Sequence, residues 1–428
     1  MFGCQQVLID DSTAMPYLEF ICGEANKLTN CGIYYARQLY FKSGRIISKL
    51  DLNYECKSNI HFKFLYSQVA QQALMSVAES FASYKGLLKA FELGKITDKP
   101  RLPGYRTKGG LTVVSYPKQA LKLKEGLIFI PLGKKVSACF GVASFTLKMP
   151  SNLKFGDIKE LRILPRNRCF YAELVYKIQP EQADVDIERV LGIDCGVTNW
   201  LACVSNIGTS FIVDGNQIKS LNRWYNKRIS TLKENKPQGF WSNQLAVITE
   251  KRNRQIRDGV NKAARLVINH CLEHRIGTIV FGWKTGLRQG VELGKATQSF
   301  VKIPTARLKE RINQLCKKYG IKFVETEESY TSKSSFIDND PLPTYDEKLK
   351  EQKYKFSGKR VARGLYRTAN NWYINADVQA AANIIRKVST TLNLDCSGVS
   401  RASLTAPQRI LLWSAKRYRV AASVYSAA

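Results

Sequence analysis

Three acids stand where they could do chemistry together. Asp194 lies inside the apolar run Val190-Leu-Gly-Ile-Asp-Cys-Gly-Val197, Glu328 follows the strand-like Ile321-Lys-Phe-Val-Glu-Thr326, and Asp377 opens the alanine-rich Ala376-Asp-Val-Gln-Ala-Ala-Ala-Asn-Ile-Ile385. A carboxylate in an apolar strand is expensive to bury unless a charge meets it. A lone Asp can equally cap a turn at a strand end. Clustered carboxylates repel one another, and the partner that relieves them best is a hard divalent cation. Mg²⁺ takes oxygen ligands and keeps several of its waters, so three carboxylates suffice. Two such ions, about 4 Å apart, activate water and stabilise the leaving oxygen of a phosphodiester. Glu327 is the reserve for Glu328. Side chains alternate along a strand, so only one of the two can aim at the site while the chain stays extended. Glu328 is favoured because it abuts Ser329-Tyr-Thr-Ser-Lys333, where the chain turns over the site.

These acids sit in a chain flooded with positive charge. Its 428 residues carry 66 Lys+Arg against 35 Asp+Glu, a formal charge of +31, spread through the whole chain. A folded protein this basic fits a polyanion, nucleic acid above all. Eleven cysteines are scattered with no Cys-x-x-Cys pair, and only three His are present. The reading is a chain of reduced thiols in the cytosol, associated with the nucleoid, with few ligands for a His/Cys metal site or a His-based triad. No apolar run approaches a membrane span.

The elements that position the acids follow from periodicity. Three short apolar strands (Val190–Ile193, Leu201–Val204 and Phe211–Val213) read as an antiparallel meander. Helical spacing covers roughly 218–233 and 242–273, with Ile256, Val260, Ala264, Val267 and Cys271 as the buried stripe. A buried strand at 276–281, a helix opened by Pro304 and closed by Gly320, a strand at 321–326 and a helix from Ala376 complete the order. That order is the ribonuclease H-like plan. Upstream, 14–42 and 60–94 read as helices, and 111–178 as a series of short strands suited to a small barrel. The expected fold class is a multidomain α+β chain. A mainly helical part spans 1–98, which could also carry a first strand of the barrel, and the barrel spans 99–180. A nuclease-like α/β domain spans 181–390, with a helical insert at 216–275 and a second insert at 329–372. A tail of low information covers 391–428.

Three motifs carry a resemblance: Gly192-Ile-Asp-Cys-Gly-Val-Thr-Asn199, Thr331-Ser-Lys333, and Asn375-Ala-Asp-Val-Gln-Ala-Ala-Ala-Asn-Ile384. The chain resembles TnpB-type transposon-encoded RNA-guided nucleases, which are related to type V CRISPR effectors. The resemblance implies helical recognition and β-barrel wedge parts ahead of a RuvC-like nuclease domain. It also implies a guide RNA from the transposon end, a double-stranded DNA target cut beside a short motif, and Mg²⁺ ions (or Mn²⁺ in their place) on Asp194, Glu328 and Asp377. There are two departures. Where the family usually has its second acid, this chain has Gly282. Where the family usually has a four-cysteine zinc ribbon, no cysteine occurs between Cys316 and Cys396. The expectation is therefore a relocated second acid and no zinc, with the insert held by its aromatics.

Candidate nucleic-acid contacts are Lys333, Lys359, Arg360 and Arg363 in the second insert, Arg252, Arg254 and Arg257 on the long helix, and Arg166 and Arg168 in the barrel. Three functions remain open: an RNA-guided, metal-dependent DNA endonuclease; the same scaffold silenced as an RNA-guided DNA-binding repressor; and a protein-only transposase or resolvase. The missing acid at 282 favours the second, the surviving Asp194 and Asp377 the first. The long basic N-terminal part argues against the third.

Overall fold

The computed structural model describes residues 1–283, 303–344 and 354–413. The chain divides between Ile178 and Gln179 into two compact units. In the first, β1 (Phe2–Ile9) precedes four helices, α1 (Met15–Ser43), α2 (Lys49–Cys56), α3 (Ile60–Phe64) and α4 (Ser67–Glu92). There follow β2 (Val114–Pro117), β3 (Lys122–Lys124), β4 (Leu127–Pro131), α5 (Lys134–Phe140), β5 (Ser144–Lys148), β6 (Ile158–Arg166) and β7 (Cys169–Lys177). The helix expected over 60–94 breaks into α3 and α4, because Leu65 and Tyr66 are extended and lie against the backbone of Gly133. The strands form open sheets, β1-β7-β6-β2 and β3-β4-β5, instead of one closed ring. Leu18, Ile21 and Leu28 of α1, Leu74 and Phe81 of α4, and Val114, Leu161 and Ile163 of the first sheet belong to one core. The helical and strand-rich parts, read separately from sequence, thus share a single hydrophobic interior with no boundary near residue 98. β1 supplies the first strand that the sequence allowed within 1–98, and its place is fixed by its antiparallel partner β7.

The second unit begins with the meander β8 (Asp186–Cys195), β9 (Asn199–Ser205) and β10 (Ser210–Asp214). Two helices follow, α6 (Asn216–Lys233) and α7 (Asn243–Glu273), then β11 (Ile276–Gly282), α8 (Thr305–Tyr319) and β12 (Lys322–Thr326). A small hairpin sheet, β13 (Lys359–Ala362), β14 (Leu365–Arg367) and β15 (Tyr373–Asn375), leads into α9 (Ala376–Leu392), and α10 (Arg401–Thr405) and β16 (Gln408–Ile410) close the described chain. The main sheet runs β12-β11-β8-β9-β10-β16. β11 and β12 are parallel to their neighbours and β8, β9 and β10 antiparallel, the ribonuclease H-like arrangement. Pro304 sits one residue earlier than expected, at the N-cap of α8, and Gly320 ends that helix at φ +73°. Residues past 390 are more than a tail: β16 adds an edge strand parallel to β10, too short to announce itself in sequence.

Two cores flank this sheet. Ile193, Leu201, Phe281, Val267 and Leu308 fill the side under α7 and α8, while Val190, Val280, Ala381, Ile384 and Ile385 fill the side under α9. On the α9 side the helix comes unusually close. A Cβ at Gly192 would run into the Ala381 carbonyl and lie 2.6 Å from Ile385 Cγ1. Overpacking a well-filled core typically costs about 1–3 kcal/mol. Gly192→Ala is therefore expected to lower stability by about that range. Gly86→Ala, on an open stretch of α4, should raise it by about 1 kcal/mol through helix propensity. Urea unfolding of both variants measures the difference.

Candidate active site

Asp194 is the penultimate residue of β8, two residues beyond the Gly192 seat. Alternation puts Gly192 and Asp194 on the α9 side, with Ile193 on the opposite side. α9 delivers Asp377 in its first turn. The Asn375 side chain caps the helix by accepting from the amides of Asp377 and Val378, each at 3.1 Å. That cap fixes where the Asp377 side chain leaves the helix. Its Oδ2 accepts from Asn199 Nδ2 at 2.6 Å, and its Oδ1 accepts from Arg360 Nη2 at 3.0 Å.

The two glutamates separate cleanly. Glu327 is taken by Lys387 of α9, a lysine whose side chain is only 5% exposed, and also accepts from the Ser329 amide at 2.9 Å. Burial pulls the Lys387 ammonium down to about 8, so its carboxylate partner is doing structural duty. Glu328 instead acts on Asp194. Burial first, then the charges of Glu328 and Asp377, push the Asp194 carboxyl up to about 8, opposed by the guanidinium of Arg360. The three acids singled out in sequence therefore share one electrostatic neighbourhood.

Position 282 explains why an acid is absent there. Phe281 of β11 is level with Ile193 of β8, so Gly282 is level with Asp194, and it pairs with Thr326 on its other side. A Cβ at Gly282 would collide with Ile384 Cδ1 of α9. The space is filled by Ile384, fully buried, which would have to shift for any side chain at 282.

The donor set fits a hard divalent cation. It offers carboxylate oxygens only, and the elevated Asp194 marks a place where negative charge lacks enough compensation. No three His, Cys, Asp or Glu side chains among the described residues are gathered into a ready-made cage. Arg360 occupies part of that role through its ion pair with Asp377.

A second layer was not foreseen. Arg409 of β16 donates to Asn199 Oδ1 at 2.8 Å and to Asp214 Oδ2 at 2.6 Å, which orients Asn199 toward Asp377. Only the pairing of the far C-terminal strand brings Arg409 there, and no local signal announces it.

The predicted nucleic-acid contacts divide. Arg360 and Arg363 turn toward the acids, the latter donating to Thr198 Oγ1 at 2.9 Å, so the run at 359–363 does not present all its cations outward. Lys359 and Lys333 are exposed, the latter lying over the Tyr330 ring. Arg252 donates twice to Asn222 and packs over Tyr225, which ties α7 to α6, and Arg257 pairs with buried Glu250 within α7. Arg254 is exposed. In the first unit, Arg166 reaches Gln6 Oε1 at 3.2 Å, and Arg168 is exposed at the β6–β7 turn.

Among the described residues the insert is held by two acids as well as by aromatics, with Phe336 and Tyr366 buried in the core under α9. Asp338 Oδ2 accepts from the Ser335 and Ser357 hydroxyls and the Ala369 amide, and Asp340 accepts from the Ser335 and Ser357 amides. Gln379, Asn383 and Arg386 of α9 bind the Ser334 carbonyl or hydroxyl and so tie the Thr331–Ser335 loop to the helix. Tyr330, Tyr354 and Phe356 cluster and Tyr366 is buried, but Trp372 and Tyr373 are exposed; Tyr345 lies outside the described residues.

Residues 173–286 match the family OrfB_IS605, described as a probable transposase. No curated protein matches. A solved structure described as the Cas12f1–sgRNA–target DNA complex is 15% identical, with 87% of this chain and 82% of that chain covered and a TM-score of 0.51. A CRISPR–Cas12f ternary complex is 16% identical over 87% of this chain and 81% of that one, at a TM-score of 0.33 too low to carry an argument. The resemblance to TnpB-type proteins read from the motifs is borne out by the family match, and the multidomain α+β fold by the first of these structures.

Because the folded-state value of Asp194 lies above its ordinary 3.8, the folded chain holds a proton there that the unfolded chain releases between about pH 4 and 8. Metal-free protein should therefore lose stability as pH rises through that window, and Asp194→Asn should flatten the dependence. Thermal unfolding in chelator across the window reads it; parallel profiles for the two proteins would contradict the assignment.

Proposed function

We propose that this chain is an RNA-guided, divalent-metal-dependent DNA endonuclease of the TnpB type. A transposon-end RNA would guide it, and it would cut double-stranded DNA beside a short target-adjacent motif. The single observation that carries the reading is the placement of Asp194 at the end of β8, Asp377 in the first turn of α9 and Glu328 just past β12, near enough that the latter two act on the Asp194 carboxyl. The OrfB_IS605 match over 173–286, which contains Asp194, supports it, as does the charge of +31. Guide pairing reads sequence in such a system, and the protein holds backbone and a short flanking motif.

In this reading Asp194, Glu328 and Asp377 hold Mg²⁺, which when bound supplies an activated water and charge stabilisation at the leaving oxygen. The chain's own residues do the positioning. Asn199, itself oriented by Arg409, fixes one Asp377 oxygen. Arg360 neutralises the other, and its guanidinium has the donor fork that suits a phosphodiester. Glu327 and Lys387 fasten the end of β12 to α9 and keep the neighbouring Glu328 in place.

One further reading has an observation behind it. The Arg360–Asp377 pair and the isoleucine over Gly282 would suit a scaffold that binds its target without cutting.

Asp194→Ala, Glu328→Ala and Asp377→Ala should each abolish Mg²⁺-dependent cleavage of a guide-matched plasmid while leaving guide and target binding nearly intact. Glu327→Ala should keep cleavage but lose about 1–3 kcal/mol of stability, because it leaves Lys387 buried without its partner. Cleavage surviving Glu328→Ala would remove the relocated acid. Target binding without cleavage by the unaltered protein would favour the silent scaffold. Nucleic-acid affinity should also fall about 10³-fold or more between about 50 and about 200 mM salt; salt-independent binding by filter or anisotropy assay would contradict the electrostatic account.

A further inference from the structure

The α6–α7 hairpin carries a surface that the acid site does not use. Ile218, Asn222, Tyr225 and Ile229 of α6 turn inward, at helical spacing. Arg223 and Lys227 stand exposed on the outer side with half-buried Lys219 four residues before them, and exposed Trp224 and Arg228 lie beside them. Neighbours at four-residue spacing share a helix face, and Lys219 to Lys227 spans about 12 Å of axis at about 1.5 Å per residue. Among the described residues, no carboxylate pairs with any of these cations. Trp224 is 48% exposed in the middle of this stripe. At the turn into α7, Trp241 is 40% exposed with Lys233 over its ring at 5.7 Å.

Cations track phosphates, and an exposed indole offers a face on which an unpaired base stacks, a combination that defines single-strand platforms. We propose that the outer face of α6 and its turn into α7 bind an unpaired stretch of polynucleotide, with bases stacked on Trp224 and Trp241 and phosphates along Lys219, Arg223, Lys227 and Arg228. The inference rests on the nucleic-acid reading above and adds to it a place and a strand type. Paired bases cannot present their faces to the indoles, so duplex would engage only the cations.

The test uses the full chain, stripped of copurifying RNA by high salt. Its probes are oligo(dT), oligo(rU) and a duplex of equal length, followed by anisotropy and by tryptophan quenching. Trp224→Ala should weaken oligo(dT) or oligo(rU) binding about tenfold, the size of one base–aromatic stack, with duplex affinity unchanged. Lys227→Ala should weaken all probes and lower the salt slope by about one. A stronger effect on oligo(dT) identifies a DNA strand as the occupant, and a stronger effect on oligo(rU) an RNA strand. Both indoles are exposed, so unchanged melting temperatures verify that the variants fold. If the unaltered chain binds the probes and the double variant Trp224→Ala/Trp241→Ala binds them equally well, this inference fails alone. If the unaltered chain binds none of them, the nucleic-acid reading falls with it.

Discussion

The second unit depends on how closely α9 lies on the central strands. Helix and sheet approach this far because β8 and β11 present glycine toward the helix, at Gly192 and Gly282, and because the helix answers with Ala381 and Ala382. That contact sets Asp377, at the first turn of α9, beside Asp194 at the end of β8. A side chain at 282 would have to displace Ile384, which takes that volume. Glu328 lies just past the neighbouring strand β12, close enough for its charge to act on Asp194.

Around this seat the charges are arranged in tiers. Burial first, and then the like charges of Glu328 and Asp377, push the Asp194 carboxyl up to about 8. Arg360 relieves the crowding from the hairpin insert, and Arg409 steadies Asn199 and Asp214 from the last strand. In a chain with a charge of +31, this is where negative charge is concentrated and only partly balanced. Glu327 and Lys387 form a separate, local fastening, which is why adjacent glutamates have different duties.

The described residues of the insert between β12 and α9 are tied together by polar side chains. Serines and two aspartates link the Thr331–Ser335 loop, the segment before β13 and the turn after β14 through direct hydrogen bonds. α9 contributes Gln379, Asn383 and Arg386 to the same loop, so the helix that carries Asp377 also anchors the loop next to Glu328.

The sequence by itself determined the order of elements in the second unit, the buried stripe of α7, and the acids, because periodicity and an acid in an apolar setting are local signals. Ile256, Val260, Ala264, Val267 and Cys271 are all buried as the spacing requires. Its preference for Glu328 over Glu327 rested only on position, and what separates the two is Lys387, sixty residues away in sequence. Tertiary structure alone decided the rest. β1 and β16 are defined by the strands they pair with, Arg409 reaches Asn199 only through that pairing, and the shared core of the first unit erases a boundary that composition suggested. The hydrogen bonds of an edge strand and the partners of a long cationic side chain are supplied by distant segments, and the free energy that fixes them appears only when the chain is folded.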